Sequence, residues 1–243
     1  MAAAWGNEDF GRIDRWDSLS VAAGMHDEGW RSWDDAPQVD PAGRPIDFPD
    51  LDRSAHVALY SGGIEAAVSR DPRAGLLVSM HGQGLHEARL GLDGAARPRE
   101  RQESAVRAFI DEQEALQARL RTRIGGGEAL AEWVWAGYRL LQAWDLLSLY
   151  LLWYGLPKGM TGTLAGVPRH GSDTGVDVAI EPDGDRVCTL RPYPFTEDEV
   201  VFPVAARVVP SRRYAGDGDL RSALADAPWI TEEVGVRRGR AAG

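Results

Sequence analysis

Residues 133–154 read WVWAGYRLLQAWDLLSLYLLWY, the most apolar stretch of the 243-residue chain, and the reading of that stretch decides the fold. A run of about 20 apolar residues is long enough to cross a bilayer. Arg139, Gln142 and Asp145 stand near its centre, however, and each charge placed there costs about 3 kcal/mol on insertion. The stretch is therefore read as part of a helix over residues 128–154, apolar on nearly all sides and the best candidate for the central helix of a mainly α protein.

Working outward, Gly125-Gly126-Gly127 separates this helix from residues 98–124, a charged segment with a narrow apolar stripe through Val106, Ile110, Leu120 and Ile124 that predicts an outer helix. Residues 91–98 form a polar break. Asp71-Pro72 has the chemistry of an N-cap and a first helical residue, opening a helix through Leu76, Leu77, Met80 and His81. A helix from Ser54 sets His56, Tyr60, Ile64 and Ala67 on one stripe, and residues 34–53, dense in turn formers, predict an ordered loop. Residues 17–25 have helical apolar spacing and run into His26-Asp27-Glu28-Gly29-Trp30, with Gly29 read as the residue just past the helix end. Beyond Gly155 the pattern changes to period two. Residues 176–180 and 186–190 predict strands flanking the turn Pro182-Asp183-Gly184-Asp185, residues 200–209 and 230–236 predict two more, and residues 220–225 a short helix.

Composition narrows the function. The net charge of −10 should repel phosphate backbones, so nucleic acid is an unfavourable partner, and Arg237, Arg238 and Arg240 are read as a solvated tail. Cys188 is the one cysteine and has no partner for an internal disulfide, and residues 1–11 lack the pattern of a secretory leader. A cytoplasmic protein is expected, without a membrane or nucleic-acid partner, acting on a small molecule. The sequence contains no Gly-x-Ser-x-Gly elbow, no Gly-x4-Gly-Lys loop and no Cys-x2-Cys pair, and Gly82-Gln83-Gly84 follows a helix rather than a strand.

Three of the five histidines and two aspartates fall at inward-looking positions on separate helices: His26, Asp27, His56, His81 and Asp145. Asp145, between Trp144 and Leu146, is the sharpest of them, because a buried unpaired carboxylate costs several kcal/mol. It requires a metal ion, a protonated imidazole or an arginine, and Gln142 and Ser148 are on the face that would orient it. His26 and Asp27 lie about 100 degrees apart around a helix, close enough to share one ion. Trp30 and Trp33 are read as core or lid residues, or as an aromatic wall for an organic ligand. His86, five residues past His81, is rotated away from it and left out of the ligand set. His170 is read as exposed and Cys188 as packing.

His26-Asp27-Glu28-Gly29 resembles the His-Asp-x-Gly core of the HD-domain superfamily of helical metal-dependent phosphohydrolases and di-iron oxygenases. The order His26-Asp27, His56, His81, Asp145 is similar to the ligand order of its two-metal members. Over nearly the whole chain, His26-Asp27-Glu28-Gly29-Trp30, Leu76-Leu77-Val78-Ser79-Met80-His81-Gly82, Leu141-Gln142-Ala143-Trp144-Asp145 and Pro192-Tyr193-Pro194-Phe195 resemble a bacterial family, domain-of-unknown-function family 3891. These resemblances imply an HD-domain-like helical bundle over residues 1–158 and a small β-rich C-terminal appendage over residues 159–243. They also imply one or two divalent ions (Fe, Mn or Zn), with Asp27 bridging, His26 and Asp145 on the first ion and His56 and His81 on the second.

Superfamily members usually carry another histidine about one helix ahead of the His-Asp pair. Residues 1–25 contain none, and because residues 1–6 read like the end of a helix, the chain is expected to start downstream of it. Trp30 stands where many superfamily hydrolases have a lysine, leaving Arg31, Arg89 and Lys158 as candidate phosphate contacts. The function expected is hydrolysis of a small phosphoester by a metal-activated water, with Asp27 and Asp145 as the catalytic carboxylates and Trp30, Trp33 and Gln142 facing substrate. The alternatives are a di-iron oxygenase and a non-catalytic ligand-binding or regulatory protein that has lost its metal.

Overall fold

The computed structural model describes residues 1–87, 103–152, 161–170, 175–184 and 186–239. Its first half is helical: α1 (Trp16–Met25), α2 (Arg31–Asp35), α3 (Arg53–Arg70), α4 (Pro72–His86), α5 (Ser104–Ile124) and α6 (Gly127–Leu152). The expected polar break at residues 91–98, the start of the outer helix at residues 98–102, Arg89 and Lys158 lie outside the described residues. Short polar side chains begin two of these helices. Asp52 accepts from the backbone N–H groups of Ser54 and Ala55 at 2.9 and 3.0 Å, and Asp71 accepts from that of Arg73 at 2.8 Å, with Pro72 in the first turn.

The centre of the helical part is α4 rather than α6. It packs against α1, α3, α5 and α6 and is buried along almost its whole length, from Ala74 to His86. Its polar residues disguise that position in the sequence, because they satisfy one another. Ser79 Oγ donates to Gln113 Oε1 at 2.9 Å, and Gln117 Nε2 donates to Ser79 Oγ at 3.2 Å and to Gln83 Oε1 at 2.8 Å. Such a network removes the penalty of burying amides and a hydroxyl, about 1–3 kcal/mol for each unsatisfied group.

The region after α6 contains β1 (Gly162–Val167), β2 (Val176–Pro182), β3 (Val187–Arg191), β4 (Glu199–Arg207), α7 (Asp217–Asp226) and β5 (Trp229–Arg238). The strands form one sheet in the order β1-β2-β3-β5-β4, antiparallel except for the β3/β5 pair. This corrects the expectation of a mainly α, HD-domain-like bundle with a small β-rich appendage: the β part is a substantial, curled, five-stranded half-barrel. Its inner face, including Val178, Ile180, Cys188, Leu190, Val234 and Val236, belongs to the same hydrophobic core as α4 and α6.

The N-terminal segment ties the two parts together. Trp5, fully buried, meets Phe10, Trp144 and Phe195 edge to face at centroid distances of 5.9, 5.6 and 5.3 Å. Gly6 N–H donates to the Pro194 carbonyl at 3.0 Å, Thr196 N–H to that of Ala4 at 3.0 Å, and Asn7 Nδ2 to that of Tyr193 at 2.6 Å. Strand β1 was not expected from the sequence; its glycines, Gly162 and Gly166, break the apolar alternation.

Gly29 does not end α1. It lies within a 3₁₀ turn, Glu28–Trp30, that leads directly into α2, and it is glycine because of a close approach. A Cβ there would overlap the Leu59 carbonyl on α3, and one on Gly63 would come within 2.7 Å of the Gly29 nitrogen. The His26-Asp27 corner is thus pressed against α3 backbone to backbone.

Candidate metal centre and its cavity

Three helices converge at this corner. His26 follows the last residue of α1, His81 is on α4 and Asp145 on α6, and one ligand atom from each lies within 4.8 Å of the others. His26 Nε2 is 3.3 Å from Asp145 Oδ1, and His81 Nε2 is 3.6 Å from Asp145 Oδ2. The two imidazoles meet edge to face at 5.3 Å. Asp27 reaches in from the next residue, its Oδ2 3.2 Å from His26 Nε2, while its side chain stays 56% exposed.

The tautomer of His26 follows from its second nitrogen. Nδ1 lies 2.9 Å from the carbonyl oxygen of Ala23, which can only accept, so Nδ1 donates and Nε2 is the atom turned toward the carboxylates. A histidine held in this way by a backbone carbonyl is the usual orientation of a metal ligand.

Electrostatics set the protonation of the three histidines and of Asp27. Burial alone would lower the pKa of His26, but hydrogen bonding and attraction from Asp145 and Asp27 outweigh it and push it up to about 10. In the metal-free protein, His26 is therefore the cation that makes a buried Asp145 tolerable. Asp27 is held below the ordinary carboxylate range: burial raises it, but its contact with His26 prevails. His81 is lowered, chiefly by burial, and His56 is lowered by burial and then by Arg53, so both are neutral imidazoles with a lone pair to offer.

The donor set fits a divalent transition ion. Ligand bonds of about 2.1 Å put tetrahedral donors about 3.4 Å apart, against 3.3 and 3.6 Å from the two histidines to the Asp145 carboxylate oxygens and at most 4.8 Å across the set. His81 turns Nε2 toward the Asp145 carboxylate, so the nitrogen with a lone pair to offer is the one that faces the group. Two imidazoles and a carboxylate suit iron, manganese or zinc.

Beside this group lies a cavity of about 810 Å³ between the helices and the sheet. Asp27 and Asp145 line it, as do His56, Tyr60, Trp30 and Trp33. His56 is outside the three-residue group, packed against Trp30 at 5.0 Å, Tyr60 at 5.2 Å and His86 at 5.7 Å, with Nδ1 buried and without a hydrogen-bond partner. Gln142 is buried on α6 away from this lining. Its Nε2 donates to Tyr138 Oη at 3.0 Å, and Arg139 donates to its Oε1 at 3.4 Å. Ser148 Oγ donates to the Asp145 backbone carbonyl at 2.8 Å rather than to its carboxylate. Arg31 is exposed and paired with Glu28 at 3.0 Å, His170 is exposed, and Cys188 is buried in the sheet.

Several contributors were missed at the sequence level. His86 is buried beside His56 because Tyr60 and Phe109 make an aromatic nest for both rings, a tertiary effect that helical spacing from His81 does not reveal. Arg53 sits one turn before His56, and its i, i+3 spacing on the same helix face was a usable signal. Arg207 and Trp229 arrive from β4 and β5, more than 60 residues after Asp145, and nothing local marks them.

Among the described residues, no helix is long and apolar enough to cross a membrane. No curated protein and no solved structure matches the chain. A family model described as "Protein of unknown function (DUF3891)" matches residues 1–211, and the chain belongs to that family.

Proposed function

We propose that the protein is a cytoplasmic, metal-dependent hydrolase of a small phosphoester, using a metal site of the kind found in HD-superfamily proteins. The observation that carries this reading is the convergence of His26, His81 and Asp145 from three helices, with Asp145 and the adjoining Asp27 lining a cavity large enough for an organic molecule. These three residues would hold a divalent ion, next to Asp27. An ion there supplies Lewis acidity, polarising the phosphoryl oxygen and making water a competent nucleophile near neutral pH.

The chain's own residues supply the rest. Asp145 offsets the ion's charge in a water-poor site, and the Ala23 carbonyl keeps His26 turned inward. Asp27, ionised and opening into the cavity, takes the proton of the attacking water as the new phosphorus–oxygen bond forms and the ester bond breaks. The products are inorganic phosphate and an alcohol, which gains its proton from solvent. Trp30 and Trp33 pack against the organic part of the substrate.

Metal analysis of the purified protein, followed by phosphate release from 4-nitrophenyl phosphate with manganese or zinc, tests the reading. About one equivalent of metal is expected, with turnover lost in Asp27→Ala and metal lost in His81→Ala. Stoichiometric iron with oxygen consumption and no phosphate release would replace the hydrolase by an oxygenase, and protein that takes up no metal would remove both.

A further inference from the structure

The cavity's charged and aromatic lining points to a substrate class. We infer that the site takes a planar, aromatic molecule carrying a second anionic group besides the reacting one, its ring against Trp30, Trp33 and Trp229 and the second anion on Arg53 and Arg207. The inference deepens the proposed function and rests on it for the identity of the reacting group.

Two guanidiniums line the cavity and are held differently. Arg53 begins α3 and lies on the face shared by His56 and Tyr60, close enough to His56 to help lower its pKa. It has no ion-pair partner among the described residues, so a charge-assisted bond to it is open to a ligand. Arg207 is at the end of β4, in register with Trp229 on β5. Its guanidinium stacks 4.5 Å above the Trp229 ring, and Nη1 donates to the Leu224 carbonyl at 3.0 Å. These contacts fix the plane of the guanidinium before any ligand arrives, which lowers the ordering cost of binding.

The acids lining the cavity limit where an anion can lie. Asp145 and Asp27 belong to the metal group, and Asp47 caps the 3₁₀ turn Phe48–Asp50 by accepting from the Phe48 N–H at 2.8 Å. Asp34 is the remaining carboxylate, and its pKa is raised, first by burial and then by Asp35 and Asp27, so it resists a further negative neighbour. An anion is therefore directed to the two arginines. Trp229 lines the cavity and is 67% exposed, so its ring has surface available for a planar ligand to stack on.

The test uses the metal-loaded full chain and two probes differing in one charge, terephthalate and 4-carbamoylbenzoate, titrated by calorimetry. Wild-type protein is expected to bind terephthalate about tenfold or more tightly than the carbamoyl compound, as one charge-assisted hydrogen bond implies. Arg53→Gln should reduce the preference, the double variant Arg53→Gln/Arg207→Gln should abolish it, and Trp229→Leu should weaken both probes. Equal binding of the two probes, a preference undiminished in the Arg53→Gln/Arg207→Gln double variant, or binding of neither at millimolar concentration overturns the inference. Preferential terephthalate binding by a protein that releases no phosphate from any aryl phosphate would retain this subsite and remove the phosphoester reading alone.

Discussion

Replacing Asp145 by asparagine keeps the shape of the side chain and deletes its charge, and the consequence in metal-free protein can be worked out from His26. Net of burial, which works against it, the proton on His26 is retained up to about 10 instead of the ordinary 6.5. At about 1.36 kcal/mol for each tenfold change, that retention is worth about 5 kcal/mol of folding free energy. Asp145 and Asp27 both contact Nε2, at 3.3 and 3.2 Å, and together they also overcome the burial penalty, so asparagine should forfeit at least half of the net gain, about 2–3 kcal/mol or more. The sign follows from the raised value. The stabilisation is complete below pH 6.5 and is lost as the pH rises through about 10. Urea unfolding of wild type and Asp145→Asn in the presence of a chelator should therefore differ by at least about 2 kcal/mol at pH 6 and by less than about 1 kcal/mol at pH 9.5. A difference that does not change with pH, or an asparagine variant more stable than wild type at pH 6, would refute the assignment of a proton to His26 between two carboxylates.

Saturating zinc or manganese should raise the melting temperature. At one hundred times the dissociation constant the gain is about 2.7 kcal/mol, or about 5–10 °C for a chain of this size, and differential scanning fluorimetry of His81→Ala should show no such rise. Gly29→Ala drives a methyl group into the Leu59 carbonyl and should cost about 1–3 kcal/mol while weakening metal binding, read by unfolding and metal titration together. Trp5→Ala removes three edge-to-face contacts and should lose about 3–5 kcal/mol; because the core is shared, near-ultraviolet and far-ultraviolet dichroism should still melt together. Cys188 is buried and its thiol is pushed up to about 12, first by burial and then by Asp183, so a disulfide reagent at pH 8 should find no reactive thiol until the protein is unfolded.

The helices were legible because their signals are local. Asp71-Pro72 announces α4, Gly125 follows the last residue of α5, and the aromatic and leucine content of residues 133–152 has no solution but burial. The hairpin of β2 and β3 was legible from alternation and turn residues, and β4 and β5 as strands, though not their pairing, for the same reason. The central position of α4 was not, because Ser79, Gln83, Gln113 and Gln117 come from two helices and only their mutual hydrogen bonds make them core residues. The extent of the sheet was not legible either. Trp5, Phe10 and Phe195 have no periodicity linking them, yet they join the first ten residues to the strands.

The candidate site divides along the same line. Asp145 could be singled out because an ionised carboxylate among leucines is a local contradiction, and a contradiction of that kind calls for a cation whatever the tertiary structure. Its answer in the metal-free protein, the His26 proton, is also the feature that a metal ion must displace, so the pair that stabilises the empty fold is the pair that competes with loading. Arg53, Arg207 and Trp229 pose no such contradiction. Each is an ordinary surface residue type until the sheet is folded against the helices, and only then do they line the same cavity as Asp27 and Asp145. A site whose reactive groups lie on the helices and whose second anion contact lies partly on the sheet can be read from sequence only in its first half. The substrate class therefore depends on how β4 and β5 meet α3, and exchanging charge at Arg53 or the ring at Trp229 should change which molecules enter without changing which ion is held.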